Sequence, residues 1–133
     1  MTGPSAVYVD ASALVKLVLV EPESAALLAF LRDRPRQASS RLSAIETARA
    51  LRRRGDYDEA RLRSVLAQIA FRELDQDVAT LAAGIAPPLL RTLDAVHLAT
   101  ALSLQVELQS FVTYDERLAE AARRHGLAVE APS

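Results

Sequence analysis

Four acidic residues in this chain of 133 stand where a carboxylate is costly. Asp10 closes the apolar, β-branched run AVYVD, and Glu46 lies between Ile45 and Ala48 in SAIETARAL. Asp94 stands near the start of TLDAVHLATAL, the most apolar helical segment, and Asp115 ends FVTYD. Most of the other acids, such as Asp56, Asp58 and Glu59, sit among polar neighbours and read as solvated faces. A carboxylate in apolar surroundings is destabilising unless it is paired, caps a helix or binds a cation. Singly, each has a structural explanation. Asp94 suits the first turn of a helix, Asp10 and Asp115 can cap the helices after them, and Glu46 can pair with Arg49 or Arg41. Jointly they predict converging carboxylates, which repel unless oxygen-ligated Mg2+ or Mn2+ gathers them.

The other chemically capable side chains are few. His97 falls one turn after Asp94 and shares its face; the spacing predicts a hydrogen-bonded packing histidine rather than a ligand or proton shuttle. His125 precedes Gly126 at a helix end, where a cation suits the dipole, and reads as a cap. Arg49, Arg52, Arg53 and Arg54 begin one turn after Glu46, with Arg61 and Arg63 nearby. This run either complements the end of its helix or forms a rail for an RNA backbone, since phosphate contacts supply most non-specific affinity. At helical spacing Arg52, Arg53 and Arg54 fan too widely to face one phosphate.

The elements that must position these groups alternate. A buried strand is expected over residues 6–10, then a helix capped by Ser12 and ending near 18. A helix over 22–34 is bounded by Pro22 and Pro35. A strand at 37–40 leads into a helix that Gly55 ends, with Leu42, Ile45, Ala48 and Leu51 at helical spacing. Further helices are expected over 58–70, 76–84, 92–104 and 116–125, and strands over 71–74, 110–113 and 127–129. Strands separated by helices require crossover connections, so the fold class is α/β: one domain over 1–133, a mainly parallel sheet flanked by helices. Ligands of such sheets bind beyond the carboxyl ends of the strands, where Asp10 and Asp115 fall.

Composition narrows the function. Half of the residues are hydrophobic and a quarter charged, which fits a globular chain, and there is no Cys, which removes disulfides, thiolate zinc sites and cysteine nucleophiles. The opening MTGPSAVYVD lacks the pattern of a signal peptide, and no apolar stretch approaches the ~20 residues of a membrane span. A soluble cytoplasmic domain is expected. Sixteen bases nearly balance seventeen acids, so net charge gives no nucleic-acid signature; all bases but Lys16 are Arg. A phosphoaspartyl mechanism is disfavoured because Ser12 stands where one such class needs a second Asp, and no late Lys exists. No G-x-G-x-x-G, Walker A or G-x-S-x-G segment is present.

The ordered segments VYVDASALVKL, SAIETARAL, LDAVHLATA and FVTYDERLAEAARRHGL resemble the PIN-domain ribonucleases, and more narrowly the VapC-type toxins of bacterial VapBC pairs. The match runs from Val7 to Val129. The resemblance implies Asp10, Glu46, Asp94 and Asp115 as an acidic quartet at a metal site, with Ser12 and Thr113 as supporting hydroxyls. Asp10 and Asp94 are the first candidates for metal ligands and Asp115 the next, while Glu46 can serve a second ion or orient the attacking water. The resemblance further implies a Mg2+- or Mn2+-dependent endoribonuclease leaving 5′-phosphate and 3′-hydroxyl ends. The expected partners are a VapB-type antitoxin and RNA, with a homodimer, and a heterotetramer or larger assembly with the antitoxin. Helices between Ser12 and Leu31, together with the Arg-rich helix, are expected to form the antitoxin groove. The alternative is a catalytically weak PIN-like domain that only binds RNA or protein.

Overall fold

A computed structural model describes residues 3–133, so the first two positions of the expected domain lie outside the described residues. The chain begins with β1 (Ala6–Val9), buried at all four positions. Helices α1 (Ala11–Val18) and α2 (Ser24–Arg32) lead to β2 (Gln37–Ser40). Next come α3 (Arg41–Arg54), α4 (Glu59–Ala67) and β3 (Ala70–Arg72). The second half runs through α5 (Gln76–Ala83), α6 (Thr92–Ser103), β4 (Leu108–Val112), α7 (Glu116–Arg124) and β5 (Val129–Glu130).

All pairings in the sheet are parallel, in the order β3-β2-β1-β4-β5. Alternation along the central strand assigns its two faces. Val7 and Val9 join Leu14, Leu17, Leu27, Leu31 and Val112 in one core, under α1 and α2. Tyr8 joins Leu98, Phe111, Leu118 and Ala122 in the other, under α6 and α7. The expected three-layer arrangement is therefore present. Successive strands step one way from β1 through β2 to β3 and the other way through β4 to β5. The switch lies between β1 and β4, and the carboxyl ends of these strands are where ligands of such sheets bind.

Local caps shift several expected boundaries. Asp10, not Ser12, caps α1, because its carboxylate accepts the Ala13 N–H; Ser12 sits inside the first turn. α4 stops at Ala67, so Ile69 packs into the core from outside it. β3 starts one residue earlier than expected and ends two earlier, at Arg72, which pairs with Asp75, the cap of α5. β4 starts two residues earlier and β5 two residues later than their alternation suggested. The core-facing stripe of α3 is Ser43, Thr47 and Leu51, whereas Ile45 is half exposed. Gly55 ends α3 as expected, in the left-handed region at φ 83°, where a side chain would be strained.

Candidate active site

Asp10 ends the central strand and is 3% exposed. Its Oδ1 accepts the Ser12 hydroxyl at 2.6 Å and the Ala13 N–H at 3.1 Å. Its Oδ2 accepts the Thr113 hydroxyl at 2.6 Å. Burial pushes the Asp10 carboxyl above the usual aspartate range, while these donors and the nearby His97 pull it back. Among the described residues no cationic side chain pairs with it.

The two hydroxyls also bind the segment that leaves β4. Ser12 accepts the Tyr114 N–H at 2.9 Å, and Thr113 accepts the Asp115 N–H at 3.0 Å. Asp115 in turn caps α7 by accepting the N–H groups of Arg117 and Leu118. Its structural role is thus the one its position suggested, but its second oxygen lies 3.7 Å from Arg91 Nη2. The same guanidinium reaches Asp94, with Nε 3.2 Å from Oδ2. Asp94 is buried in the first turn of α6. Glu46 pairs with neither Arg49 nor Arg41; its Oε1 lies 2.7 Å from His97 Nε2, and Arg41 pairs with Glu73 instead.

Hydrogen bonds and ion pairs therefore link three of the four acids, and Glu46 is tied separately to α6 through His97. Asp10 reaches Asp115 through Thr113, and Asp115 reaches Asp94 through Arg91. Asp94 and His97 are one turn apart on α6, and His97 holds Glu46. Among the described residues no three acid or histidine side chains are drawn into a preformed cation site. Like charges of this kind repel, and among the described residues Arg91 is the base that pairs with both Asp94 and Asp115. The donor set nonetheless fits a hard cation: oxygen ligands only, one of them a buried carboxylate with no ion pair among the described residues.

Ser12 and Thr113 stand where the sequence expected support. Tyr8 and Arg91 were not singled out by the sequence. Their signals were a phenol inside a fully buried strand, which needs a polar partner, and a base three residues before Asp94. His97 is the buried, hydrogen-bonded histidine the spacing suggested. His125 caps the end of α7 as expected, its backbone N–H donating to carbonyls of the last turn, and its Nε2 also lies 2.6 Å from the Ala86 carbonyl, tying α7 to the 85–90 loop.

The Arg run is exposed. Arg54 pairs with Glu21 at 3.4 Å, whereas Arg49, Arg52 and Arg53 have no ion pair among the described residues. A separate groove is lined by Leu17, Leu28, Leu31, Arg32, Arg61 and Val65. Its far wall is α4, not the Arg-rich α3 that the sequence suggested.

The chain matches the PIN domain model over residues 7–124. It is 46% identical over 129 residues to "Ribonuclease VapC46" of Mycobacterium tuberculosis, covering 97% of this chain and 99% of the relative. "Ribonuclease VapC35" of the same species is 43% identical over 130 residues, covering 95% and 96%. "Ribonuclease VapC47" is 38% identical over 131 residues, with 95% and 96% covered.

Proposed function

We propose a function from one premise: the chain belongs to the PIN-domain family, among the VapC-type ribonucleases. It is the toxin of a type II toxin–antitoxin pair, an endoribonuclease that hydrolyses phosphodiester bonds in cellular RNA with a divalent cation. The observation that carries the reading is Asp10, a buried carboxylate at the sheet's switch point, fixed by three donors and lacking a cationic partner among the described residues. A cap alone does not require that degree of burial. A cation ligand gains from it, because a dry site strengthens its hold on charge.

Asp10, Asp94 and Asp115 would hold the cation, Mg2+ with Mn2+ as the second choice. When bound, it offsets charge on the scissile phosphate and makes hydroxide available near neutral pH. The chain's own residues do the rest. Ser12 and Thr113 fix both oxygens of Asp10, so the carboxylate cannot rotate away. Glu46, from the neighbouring helix, orients the attacking water and takes its proton. Arg91 neutralises Asp94 and Asp115 at the rim. Arg49, Arg52, Arg53 and Arg54 are the candidates for backbone contacts to RNA.

A VapB-type antitoxin, seated in the groove between α2 and α4, would restrain the enzyme. The assembly would be a homodimer alone and a heterotetramer or larger with antitoxin, acting in the cytoplasm. No helix among the described residues is long and apolar enough to cross a membrane. The test is cleavage of total RNA by the purified chain with Mg2+ or Mn2+, with EDTA, and after Asp10→Asn or Asp94→Asn. Cleavage should need the cation and both acids, and end sequencing should find 5′-phosphates. Full activity in EDTA would sink the metal mechanism. RNA binding without cleavage in either cation would turn the reading to a binding domain.

A further inference from the structure

Behind the acidic edge, Glu46 is backed by two buried side chains that no step above employs. Tyr8, wholly buried, stacks on Phe111 with ring centroids 4.8 Å apart and planes 1° from parallel. Its hydroxyl lies 2.6 Å from His97 Nδ1, and His97 Nε2 lies 2.7 Å from Glu46 Oε1. Three elements are linked in this way: β1 through Tyr8, α6 through His97 and α3 through Glu46.

The hydrogen-bond inventory fixes the direction of the line. Burial holds the Tyr8 proton in place well beyond the ordinary phenol range. The Ser40 N–H donates to the phenol oxygen at 3.3 Å, and the Ser39 hydroxyl is turned to the Val9 carbonyl and Ser43, so Nδ1 of His97, at 2.6 Å, is the phenol's close partner. The phenol's own proton is therefore left for an unprotonated Nδ1. A neutral His97 then carries its hydrogen on Nε2, facing the carboxylate. A doubly protonated His97 donates from Nδ1 to the phenol oxygen and still donates from Nε2 to Glu46. Glu46 thus receives the same N–H in either state. Its other oxygen has no hydrogen-bond partner among the described residues, and the side chain is 27% exposed.

We propose that His97, with its tautomer set by Tyr8, is a positioning residue: it locks one oxygen of Glu46 and leaves the other for the attacking water. This rests on the ribonuclease reading given above. Groups that orient a site carboxylate or its partners commonly change rate or metal affinity by about 10–100-fold when removed. Tyr8→Phe is the cleanest probe, because it keeps the ring stacked on Phe111 and deletes only the hydroxyl.

The first readout needs no cleavage. Nitrogen-15 chemical shifts of His97 in the metal-free protein should show Nε2–H, alone or with the imidazolium; a dominant Nδ1–H tautomer overturns the proposal. The second is kinetic. His97→Leu should lower kcat about 10–100-fold and Tyr8→Phe about 10-fold, with KM for RNA roughly unchanged, since Glu46 acts on water rather than on RNA affinity. His97→Gln, which keeps an N–H near the Nε2 position, should recover much of the loss. Parent-like kcat in both Tyr8→Phe and His97→Leu, while EDTA and Asp10→Asn still abolish cleavage, refutes the positioning role and leaves the nuclease reading intact. Cleavage that survives EDTA and Asp10→Asn refutes the nuclease mechanism itself. Should His97→Leu fail to fold, Tyr8→Phe and the nitrogen spectrum still decide.

Discussion

Asp10 serves two ends that pull against each other. Capping α1 favours a charged acceptor, while burial penalises that charge, and burial is the larger effect on its carboxyl. Because the folded state raises its pKa, the folded chain holds the proton more tightly than the unfolded chain does. Stability from this group is fully present below the ordinary aspartate range and is lost as pH rises through the raised folded value. Asp10→Asn should therefore raise the melting midpoint of the metal-free protein at pH 7. Each 1 kcal/mol recovered is worth roughly 3–6 °C in a domain of this size. The gap should close below about pH 4, where the wild-type carboxyl is neutral too. Thermal melts across pH check this, and a gap that persists in acid would place the cause elsewhere. Arg91→Gln tests the opposite side of the same balance. Without its guanidinium, Asp94 and Asp115 face each other unpaired, so calorimetry should show divalent-cation binding a few-fold tighter. The effect is small because Arg91 is largely exposed, and such pairs contribute about 0–1 kcal/mol.

At the scale of elements, α3 shows why equal residues in a row are not equivalent. Its turns of about 3.6 residues place Arg53 about 20° from the line of Glu46 and Arg49 about 60° from it. Arg54 lies about 80° to the other side, where it pairs with Glu21, and Arg52 is about 120° away. Arg53→Ala and Arg49→Ala should then weaken RNA binding and lower its salt slope by about 0.7–1 per lost phosphate contact. Arg52→Ala and Arg54→Ala should change neither, and the preferred cleavage position should survive all four, since backbone contacts carry no sequence information. The measurement is RNA affinity against salt in an Asp10→Asn background. Equal effects at all four positions would point to net charge alone. The same helix also marks a limit of sequence periodicity. Ile45 fits the apolar spacing yet faces out, because the buried stripe of α3 runs through Ser43, Thr47 and Leu51, with Ser43 hydrogen-bonded to Ser39 of β2.

For the whole molecule, the strand order does the decisive assembly. Placing β1 beside β4 sets Tyr8 against Phe111 and Val9 against Val112, which brings Thr113 to Asp10 across more than a hundred residues of sequence. The flanking helices then leave the apolar groove between α2 and α4 open, with Arg32 and Arg61 at its edge. Co-expression with the product of an adjacent gene should rescue growth and yield a complex that co-purifies. Leu28→Asp, on the exposed groove wall, should abolish the complex while leaving RNA cleavage unchanged. A neighbouring product that binds the Leu28→Asp chain as tightly as the parent would move the antitoxin contact off this groove.

The alternation of apolar strands with amphipathic helices was enough to set the α/β class, the parallel pairing and the strand ends where Asp10 and Asp115 stand. These are local properties: period-2 and period-3.6 patterns, caps and helix-ending glycines act over a few residues. Four acids in apolar contexts were legible for the same reason, since each is out of place among its own neighbours. The distant partners of those acids were not legible. Glu46 with His97 and Asp10 with Thr113 are choices among many donors along the chain, whereas the Asp94–Arg91 pair, three residues apart, is local. Arg41 and Arg49 were nearer to Glu46 in sequence than the histidine it meets. Only the docking of α3 and α6 at one end of the sheet decides between them, because a hydrogen bond depends on distance in space and a sequence records distance along the chain.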